Sequence, residues 1–176
     1  MGRHVGLLRA VNVGGRKLAM AELRAVCADL GWTEVATYIQ SGNVVFSAAG
    51  AREAIERQLE DAIAARFGMD VPVVVRTAAE WRLYAPTNPF PRAAADEPNR
   101  LMMLLSKLPP AAGAGDALQA RAAAGEEVRR AGDAIWIHFP QGSGTSKLTP
   151  AFIDRAIGSP ATSRNYRTVL TLGEML

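Results

Sequence analysis

The sequence holds one cysteine, Cys27, among 176 residues. A single thiol excludes an internal disulfide framework and any cysteine-based zinc site. Leu23, Val26 and Leu30 surround it at helical spacing, so Cys27 reads as a buried structural thiol. The only two histidines, His4 and His138, fall in strand-like segments, and no spacing suggests a metal pair or a catalytic triad. No catalytic residue, metal ligand or cofactor motif is assigned on this basis. Aromatic residues make up 6% of the chain and do not stack along strands as an RNA-recognition platform would, although Phe46 and Trp136 are the two to follow. Arg3 is not followed by an apolar stretch of signal length, and the longest apolar run near a strand, Leu101 to Leu105, is far too short to span a bilayer. The expectation is a cytoplasmic protein with no membrane partner, and nothing in the sequence sets an oligomeric state.

The charge present decides little. Twenty cationic residues face seventeen anionic ones, giving +3 at neutral pH. That excess is small for a nucleic-acid binder. Only Lys17, Lys107 and Lys147 among the cations are lysine, an arginine bias that GC-rich coding produces without selection for a ligand. Apolar residues reach 49%, enough to bury a core and to exclude a disordered chain.

Hydrophobic periodicity gives an α+β order. His4 to Val11 is an apolar run of strand length that ends at Gly14-Gly15. Met20, Leu23, Cys27 and Leu30 mark a helix face stopped by Gly31. Val35 to Gln40 and Asn43 to Ser47 read as strands joined through Ser41-Gly42. Ile55, Leu59, Ile63 and Phe67 form a second helix face closed by Gly68, and Val71 to Arg76 is a strand. The result is β-α-β-β-α-β, a ferredoxin-like half over residues 1–77. Residues 78–99 carry Pro86, Pro89, Pro91 and Pro98 and read as a Pro-rich connection after a short helix near Trp81 to Tyr84. Residues 100–176 read as a second α+β half: a strand at 100–108, a helix at 116–124, a hairpin at 127–139 across Gly132-Asp133, and a helix from Pro150 capped by Thr149 and stopped by Gly158. A final helix is expected from about Ser163. The second half thus reads as βαββα plus a C-terminal helix, related to the first and sharing a core with it, because the first strand is apolar on both faces and needs a cover on each.

In such a sheet the first two strands leave at the same end, so the loop after strand 1 neighbours the following hairpin. Asn12, Gly14, Gly15, Arg16 and Lys17 should therefore meet Gln40, Ser41, Gly42 and Asn43. Amides, cations and glycines that admit a ligand to backbone N–H groups suit an anion such as phosphate. The same residues are also the usual ones for turns. Arg9, placed by alternation on the face of Val5, Leu7 and Val11, needs either an internal carboxylate or an anionic ligand. At the expected start of the last helix, Arg164 and Arg167 oppose the helix dipole, and an anion there would relieve it. Gly142 to Lys147 is glycine-rich but not a phosphate-binding loop, since Ser146 precedes Lys147 and Leu148 stands where a hydroxyl should hold magnesium.

Four stretches carry a family resemblance: Leu7 to Gly15, Thr37 to Phe46, Ser146 to Thr149, and Thr162 to Val169. Together they resemble the bacterial family catalogued as domain of unknown function 1697. Ala10 stands where that family usually has glycine, and Tyr166 where it usually has tryptophan. The resemblance implies a shared fold, names no ligand, and coincides with Arg9, Asn12, Gly14, Gly15, Gln40, Ser41, Asn43, Lys147, Arg164 and Asn165. These residues, with Lys17, are the expected ligand-binding set. The expected function is binding of a phosphate-bearing ligand, a nucleotide or nucleic-acid segment, without chemistry. The alternative is an enzyme acting on a small phosphorylated or anionic metabolite, with Ser41 or a carboxylate assisted by Arg9.

Overall fold

Strand 1 ends earlier than its apolar run. In the computed structural model, which describes Met1–Leu176, β1 covers Gly2–Leu8, and Ala10 and Asn12 then take positive φ values of 53° and 57°. The ladder ends at Leu8, and the left-handed backbone that begins two residues later keeps the strand from continuing. The elements that follow are α1 (Met20–Asp29), β2 (Thr33–Tyr38), β3 (Asn43–Ala48), α2 (Arg52–Phe67) and β4 (Val73–Thr77). They are the expected β-α-β-β-α-β, in an antiparallel sheet of order β2-β3-β1-β4. Leu8, Val44, Phe46, Val73 and Val75 pack with Leu23, Cys27, Ile55, Leu59 and Ile63 from the two helices. Cys27 is buried there and its thiol is pushed up to about 12 by burial, which makes it an inert core residue. Phe46 is fully buried and stacks with both His4 and Trp32, so it too belongs to the interior. On the opposite face Val5, Leu7, Val45 and Val74 are also buried, as the two-faced pattern of strand 1 requires.

Helix α3 (Ala78–Tyr84) starts directly after β4, and the Pro-rich stretch contains a further helix, α4 (Pro91–Asp96). Sequence reading gave those prolines only as breakers. Pro91 instead occupies the first turn, where a missing N–H costs nothing.

The second half holds β5 (Leu101–Ser106), α5 (Ala114–Arg121), β6 (Glu127–Ala131), β7 (Ala134–His138) and α6 (Pro150–Ile157). The Thr149 hydroxyl accepts from Phe152 N–H and Gly158 ends α6 in the left-handed region, both as expected. A closing strand then appears where the last helix was expected to begin. It is β8 (Ala161–Asn165), and helix α7 starts only at Tyr166 (Tyr166–Glu174). Polar ATSRN lacks the apolar signature of a strand, yet it pairs along β5 from Met102↔Asn165 to Ser106↔Ala161. The order β6-β7-β5-β8 matches that of the first sheet. Leu104, Leu118, Ile135, Ile137 and Ile157 form the core of this half.

The chain divides into two units, Met1–Arg82 with Leu172–Leu176, and Leu83–Thr171. The halves repeat each other in detail as well as order. Each closing strand ends in a buried arginine followed by a helix-capping residue. Arg76 donates to Val75 O at 2.8 Å, and Glu80 N–H donates to the Thr77 hydroxyl. Arg164 donates to Ser163 O at 2.7 Å, and Thr168 N–H donates to Asn165 Oδ1.

Candidate functional site

The geometry that brings the β1–α1 loop to the β2–β3 turn is present in the first unit. Asn12 joins them: its Nδ2 donates to Gln40 O at 2.6 Å and to Leu18 O at 2.9 Å, while its Oδ1 accepts from Leu18 N–H. Leu8 N–H donates to Gly42 O at 2.8 Å, which fixes the hairpin against the end of β1. Gly42 has φ 78°, and a Cβ there would stand 2.5 Å from Val11 Cγ2 and 2.8 Å from Leu8 Cβ. Only glycine meets both demands.

Asn12, Gly15, Arg16, Lys17, Ala19 and Gln40 line a shallow depression of about 440 Å³ at this end. Gly14 and Gly15 both sit in the left-handed region, and nothing lies within 4 Å of where their Cβ atoms would be. Their backbone is therefore open to close approach. Lys17 is exposed. Arg16 is half-buried and donates to Asp70 O, so its guanidinium is tied to the connection between α2 and β4. The N-cap of α1 is Ala19, which offers no side-chain acceptor to the first turn. Val13 and Ile39, both largely exposed, flank the depression in sequence, and Ile39 adopts φ 48°, an uncommon conformation for a β-branched residue.

Other members of the expected set are used internally. Asn43 is fully buried and donates from Nδ2 to Tyr38 O and to the Ser41 hydroxyl, so it closes the turn. Arg9 lies beyond the end of β1, half-buried, with its backbone N–H on Pro72 O at 3.0 Å; the alternation used to place it does not extend that far.

The remaining three belong to the second unit. Arg164 lies inside β8 and not at a helix start; it is 6% exposed, and it donates to Thr162 Oγ1 at 2.8 Å. Burial brings its guanidinium down to about 10, still charged at neutral pH. Asn165 is the cap of α7, so the conflict with the helix dipole is met by a side-chain oxygen. Lys147 is exposed on the loop before α6. That loop is pinned through its neighbour Ser146, whose hydroxyl donates to Glu126; Glu126 also accepts from Ala123 and Ala124 N–H groups. The Ser146 hydroxyl holds the Glu126 carboxyl below its ordinary range.

With this geometry in view, the family model described as "Protein of unknown function (DUF1697)" matches residues 1–136. The chain belongs to this family. The matched part of this DUF1697 chain includes the whole β1–α1 and β2–β3 cluster and stops before Lys147, Arg164 and Asn165. Among solved structures the chain is similar to a conserved bacterial protein, SP0830 from Streptococcus pneumoniae. The identity is 23% over 99% of this chain and 98% of that one, with a TM-score of 0.75. At that identity the likeness establishes the α+β fold. No curated protein matches the chain.

Sequence reading missed one group. In the second unit Phe90, Glu97, Glu127, Arg129 and His138 line a cavity of about 520 Å³. His138 Nε2 lies 2.8 Å from Glu97 Oε2, and that bond holds the Glu97 carboxyl below its ordinary range. His138 was read as a structural strand residue and the segment around Phe90 as a connection. Pro91 at a helix start was the only available signal for α4. No helix of the chain is long and apolar enough to cross a membrane.

Proposed function

We propose that this chain binds a phosphate-bearing ligand, a nucleotide or a nucleic-acid segment, at the β1–α1 loop of its first unit, without chemistry on the ligand. The observation that carries this reading is the open depression lined by Gly15, Arg16 and the exposed Lys17, with Gly15 preceded by a second left-handed glycine, Gly14. Phosphate oxygens take backbone N–H groups and cations in such loops. Asn12 and Asn43 hold the loop and hairpin in register and do not contact the ligand through their amides, which are already spent on Gln40, Leu18 and Tyr38 carbonyls. Arg9, Lys147, Arg164 and Asn165 take no part. The same reading places the protein in a bacterial cytoplasm, where such ligands are abundant.

The enzymatic alternative through Ser41 has less support. Its hydroxyl accepts from Asn43 Nδ2, an amide that cannot take its proton.

A thermal-shift screen with inorganic pyrophosphate, nucleoside triphosphates, phosphosugars and a short oligonucleotide tests the proposal. A binder at a hundred times its Kd stabilises the native state by about 2.7 kcal/mol, and Lys17→Ala should lose most of the accompanying rise in Tm. Nucleic acid is distinguished from a compact ligand by salt, since affinity for a single strand falls with a log–log slope of roughly −0.7 per phosphate contact. A screen in which wild type and Lys17→Ala respond alike to every phosphate compound contradicts the proposal.

A further inference from the structure

The cavity of the second unit has a chemistry distinct from that of the β1–α1 loop. Arg129, on edge strand β6, lies with its guanidinium carbon 4.7 Å from the centre of the Phe90 ring. Its NH1 donates to Pro89 O at 3.2 Å and its NH2 to Glu127 at 3.3 Å. Held in that way, the guanidinium is a fixed planar surface with donors still unused. His138 lies beside the same ring, 6.4 Å between centroids with the two planes tilted by 46°. Glu97 fixes its Nε2 and is itself held by Arg100 at 2.9 Å, while Arg100 is anchored on Pro140 O at 2.7 Å. No group of the chain takes the second ring nitrogen of His138.

The charges lining the cavity are arranged as pairs. Arg129 meets Glu127, Arg92 meets Asp96 at 3.6 Å, and Glu97, which also contacts His138, meets Arg100. A net anion or net cation would find both attraction and repulsion within a few ångströms. A neutral molecule that presents donors and acceptors side by side can engage both members of a pair without displacing either. The flat face over Phe90 selects further for a planar ring, through the stacking that guanidinium groups offer to π-systems. At about 520 Å³ the space is that of an ordinary small-molecule site.

We infer that this cavity binds an uncharged planar heterocycle with adjacent donors and acceptors on one edge, of the kind a purine nucleoside presents. The ring stacks on the Arg129 guanidinium, the Glu127 carboxylate accepts from the ring's N–H groups, and His138 meets the remaining polar edge. A guanine-type edge, with two neighbouring donors, fits a carboxylate better than an adenine-type edge does.

A ¹H–¹⁵N NMR titration of the full chain with guanosine, adenosine, sodium acetate and sodium phosphate is the test. Guanosine should shift the amides of Phe90, Arg129 and His138 in a saturable way, with adenosine weaker and both salts without effect there. Arg129→Ala should weaken guanosine binding by about tenfold, and Glu127→Gln should reduce the preference for guanosine over adenosine. Should the alanine variant lose its dispersed spectrum, Arg129→Lys keeps the charge, removes the planar surface, and should weaken binding similarly. The inference is overturned if neither nucleoside shifts these amides, if acetate or phosphate shifts them more than guanosine does, or if the Arg129 variants bind as wild type. Because neither nucleoside carries a phosphate, the result is separate from that for the β1–α1 loop.

Discussion

His4 is 5% exposed, stacked on Phe46, and its Nδ1 has no hydrogen-bond partner. Burial lowers its pKa from the ordinary 6.5. Below that value the unfolded chain takes up a proton that the folded chain refuses, so stability falls as pH falls from 6.5 toward the folded value. Above 6.5 the contribution is complete and constant. One such proton gives a slope of at most about 1.4 kcal/mol per pH unit. Urea unfolding across this range should show a decline in wild type that His4→Phe flattens. Gly42 makes a second prediction. Alanine there would press on Val11 and Leu8 and force a side chain into a φ of 78°, costing roughly 1–3 kcal/mol in denaturant unfolding. Residues such as Gly42, Asn12 and Asn43 were legible as a cluster because strand polarity alone brings loop and hairpin together. Their use was not legible. A sequence shows that an asparagine is near a turn, whereas only the folded structure shows its amide spent on Leu18, Gln40 or Tyr38 carbonyls.

Among the elements, the edge strand β4 shows how the sheet is finished. Its outward N–H groups are met by carboxylates: Val73 by Glu60 and Val75 by Glu56, both at 2.8 Å from α2, and Thr77 by Glu80 at 2.7 Å. Asp154 of α6 does the same for Ala161 on edge strand β8. Helix-borne acids thus cover ladder positions that would otherwise template another strand. Glu56→Ala strands the buried Val75 N–H and should cost about 1–3 kcal/mol, whereas Glu53→Ala, on the exposed side of the same helix, should cost far less. The loop before α6 gives an acid-side counterpart. Glu126 is held low by Ser146, so its contribution is present above the unfolded carboxylate range and is lost as pH falls through the folded value. Ser146→Ala should cost about 1 kcal/mol at neutral pH and reduce the acid-side loss, as read by unfolding at several pH values. Strong apolar period made α1, α2, α6 and the hairpin strands readable. Strand β8 was not, because ATSRN has no alternation and its assignment rests on pairing with β5.

At the scale of the molecule, two units share one strand order, and the repetition reaches single residues in Arg76-Thr77 and Arg164-Asn165. The corresponding hairpins at Gly42 and Gly132 were only a weak sequence sign of the duplication, and a helix read in place of the closing strand concealed its completeness. Equal topology has not produced equal surfaces. The first unit ends in open glycines with an exposed lysine, and the second carries a cavity of paired charges. Function therefore has to be argued from each site and not from the fold they share. The most direct measurement is a ¹H–¹⁵N NMR titration with inorganic pyrophosphate. The account predicts saturable shifts at the amides of Gly14, Gly15, Arg16 and Lys17 that Lys17→Ala weakens by about tenfold. Shifts confined to other residues, or none at these four, would contradict it.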